Sequence, residues 1–362
     1  MFDRIIRMFK EKDGFVSGEE MSRRLGITRA AFWKKIKALR ERGYVIEGST
    51  AKGYRLIKTP EFSVEELKIL VRGDFGKEII FHESLDSTNT LAMELAEKGV
   101  SHGTVVIADR QLKGKGRLGR TWFSLPKGNI YMSVIVRPEI EPRDATLLTI
   151  MSAISCARAI RSSTGIEVKI KWPNDLMVSE RKLGGILTEM KSDQDRIIFA
   201  VIGIGINVNA RLDMFPVDVR AAAASVIEEL NNPLSLTQKS THPPFIKGGT
   251  ACAVGTADRQ GGIKEGRAGG FEKSEISRTL IIAAILNELE RWFKVLIKGG
   301  RIQLINEWKK LSSTLGRKVK VVSGRDAISG IAEDIDDEGM LILRLPSGGL
   351  KKISAGDVIM LR

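Results

Sequence analysis

The chain has 362 residues, 43% of them hydrophobic and 28% charged, with a formal net charge of +14. That length suits two or three domains, and that balance excludes disordered and fibrous classes. No apolar run approaches the roughly 18 residues of a membrane helix, and the opening MFDRIIRMFKEKD has no apolar leader core, so a cytoplasmic protein without membrane contact is expected.

Cys156 and Cys252 are the only cysteines, and His82, His102 and His242 the only histidines. None stands in a metal-ligand spacing, so no disulfide framework, structural zinc or Cys–His nucleophile is expected and no metal ligand is assigned. The positive charge is uneven. Residues 1–58 hold fifteen Lys or Arg against seven Asp or Glu. Such clustering suits a polyanion at that end.

Residues 2–10 read as a short helix with Ile5, Ile6 and Phe9 inward. Ser17-Gly-Glu-Glu20 has the form of a capping box, so a second helix starts there and ends near Gly26. Thr28 can cap a third helix to about Arg42, with Phe32, Ile36 and Leu39 as its apolar stripe. Two strands follow, 44–46 and 54–57, joined by GSTAKG. Helix, helix, turn, helix and hairpin make a winged helix-turn-helix over residues 1–60, whose third helix would enter the major groove of DNA. Thr28, Arg29, Ala30, Lys34 and Lys37 would face the duplex, and Lys52 on the hairpin tip its backbone.

A short linker helix is expected within 59–80. A mixed α/β domain then extends to 311, with strands at 104–109, 129–137, 167–171 and 197–201 and helices at 147–163 and 278–295. Residues 231–270 are rich in Gly, Pro, Thr and Ser and show no hydrophobic period. They read as an exposed, mobile insertion that leaves the rest intact. Residues 312–362 carry short alternations (VKVV, LILRL, DVIML) between turns, the pattern of a small SH3-like β-barrel.

Four constellations carry chemistry. Gly114-Lys-Gly-Arg-Leu-Gly-Arg120-Thr-Trp122 contains a formal G-x-G-x-x-G, but a Rossmann turn should open a helix, and here a strand follows. Lys115, Arg117 and Arg120 inside a glycine loop suit a ligand with several phosphates instead. Lys171-Trp-Pro-Asn-Asp175, followed by Lys182-Leu-Gly-Gly-Ile186, places polar groups at a turn, where a plain Asx turn is the simpler explanation. Gly203-Ile-Gly-Ile-Asn207 implies close backbone approach within an apolar strand. Asp86-Ser-Thr-Asn89 could merely cap the helix after it.

Taken in order, DSTN (86–89), QLKGKGRLGRTW (111–122), KWPNDL (171–176), KLGGIL (182–187) and GIGINVN (203–209) resemble the signatures of the biotin protein ligases. With the winged helix and the C-terminal barrel, the chain resembles the bifunctional subgroup that also represses the biotin operon. The resemblance implies an α+β multidomain chain: a winged helix-turn-helix (1–60), a class II synthetase-like mixed α/β ligase domain (61–311) and the barrel (312–362). It implies a biotin–[biotin carboxyl-carrier protein] ligase using ATP, Mg2+ and biotin. Biotinyl-5′-AMP forms first, and biotin then passes to a lysine of biotin carboxyl carrier protein.

By the same resemblance, Lys182, Arg117 and Asp175 are catalytic. Ser87, Thr88, Asn89, Gln111, Gly114, Lys115 and Gly185, with Arg117 and Lys182, hold biotin. Arg117, Arg120, Trp122, Asn174, Lys182 and Asn207 hold the nucleotide. Adenylate would favour a homodimer on two half-sites of operator DNA. One departure stands out: the family loop often has Arg where this chain has Lys115, so the two-pronged grip is lost and faster leakage of the intermediate is expected. The alternatives are a lipoate-type ligase, or a ligand-sensing repressor without catalysis.

Overall fold

The computed structural model describes residues 1–12, 14–232, 275–324 and 326–361. Its first unit has helices α1 (Phe2–Glu11), α2 (Gly18–Leu25) and α3 (Arg29–Glu41), then a hairpin of β1 (Val45–Ser49) and β2 (Gly53–Lys58). Ile5, Ile6, Phe9, Met21, Leu25, Phe32, Ile36 and Leu39 close over one core of their own. Local chemistry sets the helix ends. Gly26 stops α2 at φ 69°, and Thr28 Oγ1 accepts from the Ala31 amide at 3.2 Å to start α3. Ser17 caps α2 through the amide of Glu19, one residue earlier than a capping box would use.

The linker helix α4 (Val64–Leu70) is shorter than the 59–80 segment expected to hold it. Its N-terminal turn carries the winged unit: Lys10 pairs with Glu66, Arg42 with Glu65, and Tyr44 hydrogen-bonds Ser63. Then follow β3 (Ile79–His82), α5 (Thr88–Glu97), β4 (Val105–Ala108), β5 (Ile130–Val136), α6 (Ala145–Thr164), β6 (Lys169–Lys171), β7 (Asp175–Val178), β8 (Arg181–Ser192) and β9 (Ile197–Ile206). Four helices complete the central unit: α7 (Val217–Arg220), α8 (Val226–Asn231), α9 (Arg278–Ile297) and α10 (Arg301–Leu311). Residues 233–270 of the expected insertion lie outside the described residues.

The seven strands form one mixed sheet in the order β3-β4-β5-β9-β8-β7-β6. The β3–β4 pair is parallel and the other pairs are antiparallel. Side chains alternate across a strand, and this alternation explains the layering. In β9, Ala200, Ile202, Ile204 and Ile206 enter the large core beneath α6 and α9. Phe199 and Val201 face the other way, against Ala92 and Ala96 of α5. The next two positions on that second face are Gly203 and Gly205. The strand expected at 197–201 continues through them to Ile206, so both glycines lie within the sheet.

The C-terminal strands are β10 (Lys318–Ser323), β11 (Asp326–Ile335), β12 (Leu341–Arg344), β13 (Leu350–Ile353) and β14 (Asp357–Met360). They pair as β13-β12-β11-β10-β14. The five strands make one antiparallel sheet, in which β11 is bulged between Ala332 and Asp334. The apolar face of this sheet, with Val319, Val321, Leu341 and Leu343, merges with the core around α6. Among the described residues no helix is long and apolar enough to cross a membrane.

Candidate active site

Gly185 of β8 pairs directly with Gly205 of β9, and Leu187 with Gly203. These glycines leave part of the sheet bare on its α5 side, and two side chains use the space. A Cβ on Gly203 would overlap the Asn89 carboxamide, and one on Gly205 would sit 2.7 Å from the Trp122 ring. The cavity over this surface is lined by the starts of α5 and β7, by the glycine loop, and by β8, β9 and β14.

At one end lies a neutral cluster. Ser87 caps α5, and Gln111 Oε1 accepts from the Thr88 amide at 2.9 Å and its hydroxyl at 3.1 Å. Ser133 Oγ lies 2.8 Å from Thr88 Oγ1 and 2.6 Å from Asn89 Oδ1, while Asn89 Nδ2 donates to Glu189 at 2.7 Å. Buried polar groups need such partners. The network fixes a patch of hydroxyls and amides without net charge at its centre.

At the other end the charge is positive. The glycine loop between β4 and β5 closes on itself, Gly116 N donating to Arg120 O at 2.7 Å and Trp122 N to Gly114 O at 2.9 Å. This aims Arg117 at Asn174 Oδ1, 3.2 Å away, and at the Gly356 carbonyl, 3.3 Å away. Arg120 pairs with Asp357. Burial lowers the Arg117 pKa from its usual value, opposed by Asp357 and Asp175. The group nonetheless stays a cation, because an arginine starts so high. Lys182 Nζ stands 2.5 Å from Asp175, with Lys171 at 3.6 Å from the same carboxylate, and lies over the Trp122 ring at 5.7 Å. Among the described residues the buried Trp122 indole N–H has no acceptor, which leaves it for a ligand atom.

Residues 81–207 match the Biotin/lipoate A/B protein ligase family, residues 3–55 an HTH domain, and residues 314–361 the Biotin protein ligase C terminal domain. The bifunctional ligase/repressor BirA of Bacillus spizizenii is 33% identical over 98% of this chain and 97% of its own length. The chain belongs to the bifunctional ligase/repressor family. The Escherichia coli relative of the same name is 30% identical over 95% of this chain and 92% of its own. A biotin protein ligase from Aquifex aeolicus, solved with biotin and ATP, covers 79% of this chain and 99% of its own at a TM-score of 0.58. With 24% identity, that likeness speaks for the fold alone.

Within this ligase/repressor chain, Ser87, Thr88, Asn89, Gln111, Lys115, Arg117, Arg120, Trp122, Asn174, Asp175, Lys182 and Gly185 all line the one cavity. Gly114 and Asn207 do not. Gly114 lies beneath the loop, where a Cβ would run into the Trp122 carbonyl. Asn207 is buried, donating to Ala224 O at 3.0 Å and accepting from Asn129 at 3.5 Å, so both ends of its amide tie the turn after β9.

Sequence reasoning missed Asp357 and Ser133. Asp357 comes from the C-terminal sheet, far along the chain and in no motif. Ser133 had a usable signal, as the one serine in the buried, otherwise apolar and aromatic strand IYMSVIV.

Behind the cavity, Arg278 is 4% exposed. It reaches Glu61 at 2.7 Å, Asp109 at 2.8 Å and the Asn129 carbonyl at 3.0 Å. Burial alone would lower its pKa, but Glu61 and Asp109 outweigh that and raise it. This node joins the linker, the end of β4 and the start of β5 to α9.

Among the described residues no three His, Cys, Asp or Glu side chains converge. A magnesium ion here would therefore take most of its ligands from the nucleotide's own phosphates.

Proposed function

We propose that this cavity condenses biotin with ATP and then transfers biotin to a lysine of a carrier protein. The observation that carries the reading is the joining, over bare sheet, of an uncharged hydrogen-bonding patch to a cluster of cations. A biotin ureido ring fits the first and a triphosphate the second. The carboxylate of biotin attacks the α-phosphorus of ATP, pyrophosphate leaves, and biotinyl-5′-AMP remains. The lysine amine of biotin carboxyl carrier protein then attacks the acyl carbon, an amide forms and AMP leaves.

Ser87, Thr88, Asn89 and Gln111 orient the ureido ring. Arg117, Arg120 and Lys115 hold carboxylate and phosphate oxygens. Lys182 exchanges Asp175 for an α-phosphate oxygen and stabilises the charge that develops there. Asn174 and Trp122 position the nucleotide. Residues 1–60 form the DNA-binding unit, 61–311 the ligase and 312–362 a C-terminal unit that supplies Asp357. Thr28, Arg29, Ala30, Lys34, Lys37 and Lys52 contact operator DNA, and the adenylate-bound chain represses as a homodimer in the cytoplasm.

The test is transfer of labelled biotin, with Mg·ATP, to a carrier-protein domain, with lipoate as a competitor. Wild type should transfer biotin and ignore lipoate. Lys182→Ala should form adenylate roughly 100- to 1000-fold more slowly, the usual cost of losing one such electrostatic contact. Tight biotin binding without transfer would instead favour a sensor-repressor.

A further inference from the structure

The helix α3 buries Phe32, Ile36 and Leu39. Its other face carries Arg29, Ala30, Trp33, Lys34 and Lys37, all exposed. Trp33 is 53% exposed, and it is the one tryptophan among the exposed large apolar side chains of the described residues. Residues four apart stack along one face of a helix, so the indole lies between Arg29 and Lys37. Among the described residues, Arg29, Lys34, Lys37 and Lys52 form no ion pair, and the only acid on α3 is its last residue, Glu41. A large apolar ring thus sits in the middle of a stripe of free cations, in the first half of the helix.

The two kinds of group suit two parts of one partner. Lysine and arginine bind phosphates and carry little sequence information. The apolar feature of the major groove is the C5 methyl of thymine, beside hydrogen-bond acceptors, and an indole offers an apolar face and one N–H donor. The early residues of a recognition helix are those that reach base edges.

We propose that Trp33 is the residue of α3 that reads sequence: its indole packs on a thymine methyl in the major groove, while Arg29, Lys34, Lys37 and Lys52 hold the backbone. This rests on the reading of α3 as an operator-binding helix. It assigns specificity to one side chain and affinity to the others.

The experiment selects duplexes from a randomised pool with the full chain, biotin and Mg·ATP, and repeats the selection with Trp33→Ala, Trp33→Phe and Lys34→Ala. Unchanged melting of the variants serves as the check on folding. Wild type should converge on a motif containing a fixed thymine. Replacing that thymine by uracil, which removes only the methyl, should weaken wild type roughly 10-fold and leave Trp33→Ala unaffected. Trp33→Ala should bind the wild-type motif roughly 10- to 100-fold more weakly with an unchanged salt dependence, and Trp33→Phe should recover part of the loss. Lys34→Ala should weaken all duplexes alike and reduce the salt slope by about one.

If Trp33→Ala selects the same motif with the same affinity, the proposal fails and operator binding stands. It fails equally if Trp33→Ala loses affinity for every duplex alike. If wild type prefers no duplex, the operator reading and the proposal fall together.

Discussion

Gly205 shows how a missing side chain sets ligand geometry. The Trp122 ring rests where a Cβ at 205 would stand, 2.7 Å from the nearest ring atom. A methyl group there cannot be absorbed by backbone, because β9 is held on both sides by β5 and β8. The loop that carries Trp122 is the softer partner, since Leu118 and Arg120 at its tip are exposed. In Gly205→Ala the indole should therefore move and the sheet stay. Steady-state kinetics should show KM for ATP rising about tenfold, in the range of an overpacked contact, with the melting temperature within a degree or two of wild type. An equal loss of stability would mean that the sheet had yielded. Gly203→Ala strikes Asn89 instead, inside the hydroxyl network, and belongs to biotin affinity.

Among the elements, β14 adds a group that no local pattern announces. Asp357 opens that strand, and its carboxylate faces Arg120 and, at 3.9 Å, Arg117. Asp357→Lys would turn an attractive contact into repulsion among three cations, which costs several kcal/mol where partly desolvated. KM for ATP should rise at least tenfold while biotin affinity changes little, and isothermal titration with each ligand separates the two.

The motifs were legible in the sequence because each is a short local segment, at a strand end, in a loop or at a helix start. Lys171 to Asp175 and Lys182 to Gly185 meet through the β7–β8 pairing, whose partners are close in the chain. The three N-terminal helices were legible for the same reason, since their caps and stripes are local. Asp357 was not, because its contact with the glycine loop joins residues far apart in sequence. Asn207 shows the limit of a local pattern, because a polar residue ending a glycine-rich strand looks alike whether it binds a ligand or ties a turn.

At the scale of the molecule, the two largest cores share most of the work: the smaller one under the winged unit, the larger one continuous from α4 to β14. His102 is packed between the Phe75 and Phe293 rings in the second and accepts the Arg137 amide at 3.1 Å. Burial lowers its pKa below the ordinary 6.5, and the acids Asp74 and Glu290 only partly restore it. Below that ordinary value the unfolded chain takes up a proton that the folded chain refuses. The contribution of His102 is thus complete above about pH 6.5 and is lost as the pH falls, at no more than about 1.4 kcal/mol per pH unit. Melting at pH 5.5 and 7.5 should show a larger acid loss in wild type than in His102→Gln. An identical loss in both would assign the acid sensitivity to other groups.

The Arg278 node has a consequence for descent. Replacing Arg278 leaves Glu61 and Asp109 as partly buried carboxylates without their cation, and replacing either acid weakens the hold on a buried cation; breaks of a fully buried pair cost roughly 3–5 kcal/mol, a large part of what keeps a domain folded. Each single substitution is therefore costly, which couples the linker acid, the acid after β4 and the α9 arginine. Related chains should carry all three or an apolar trio in their place, with few mixtures between.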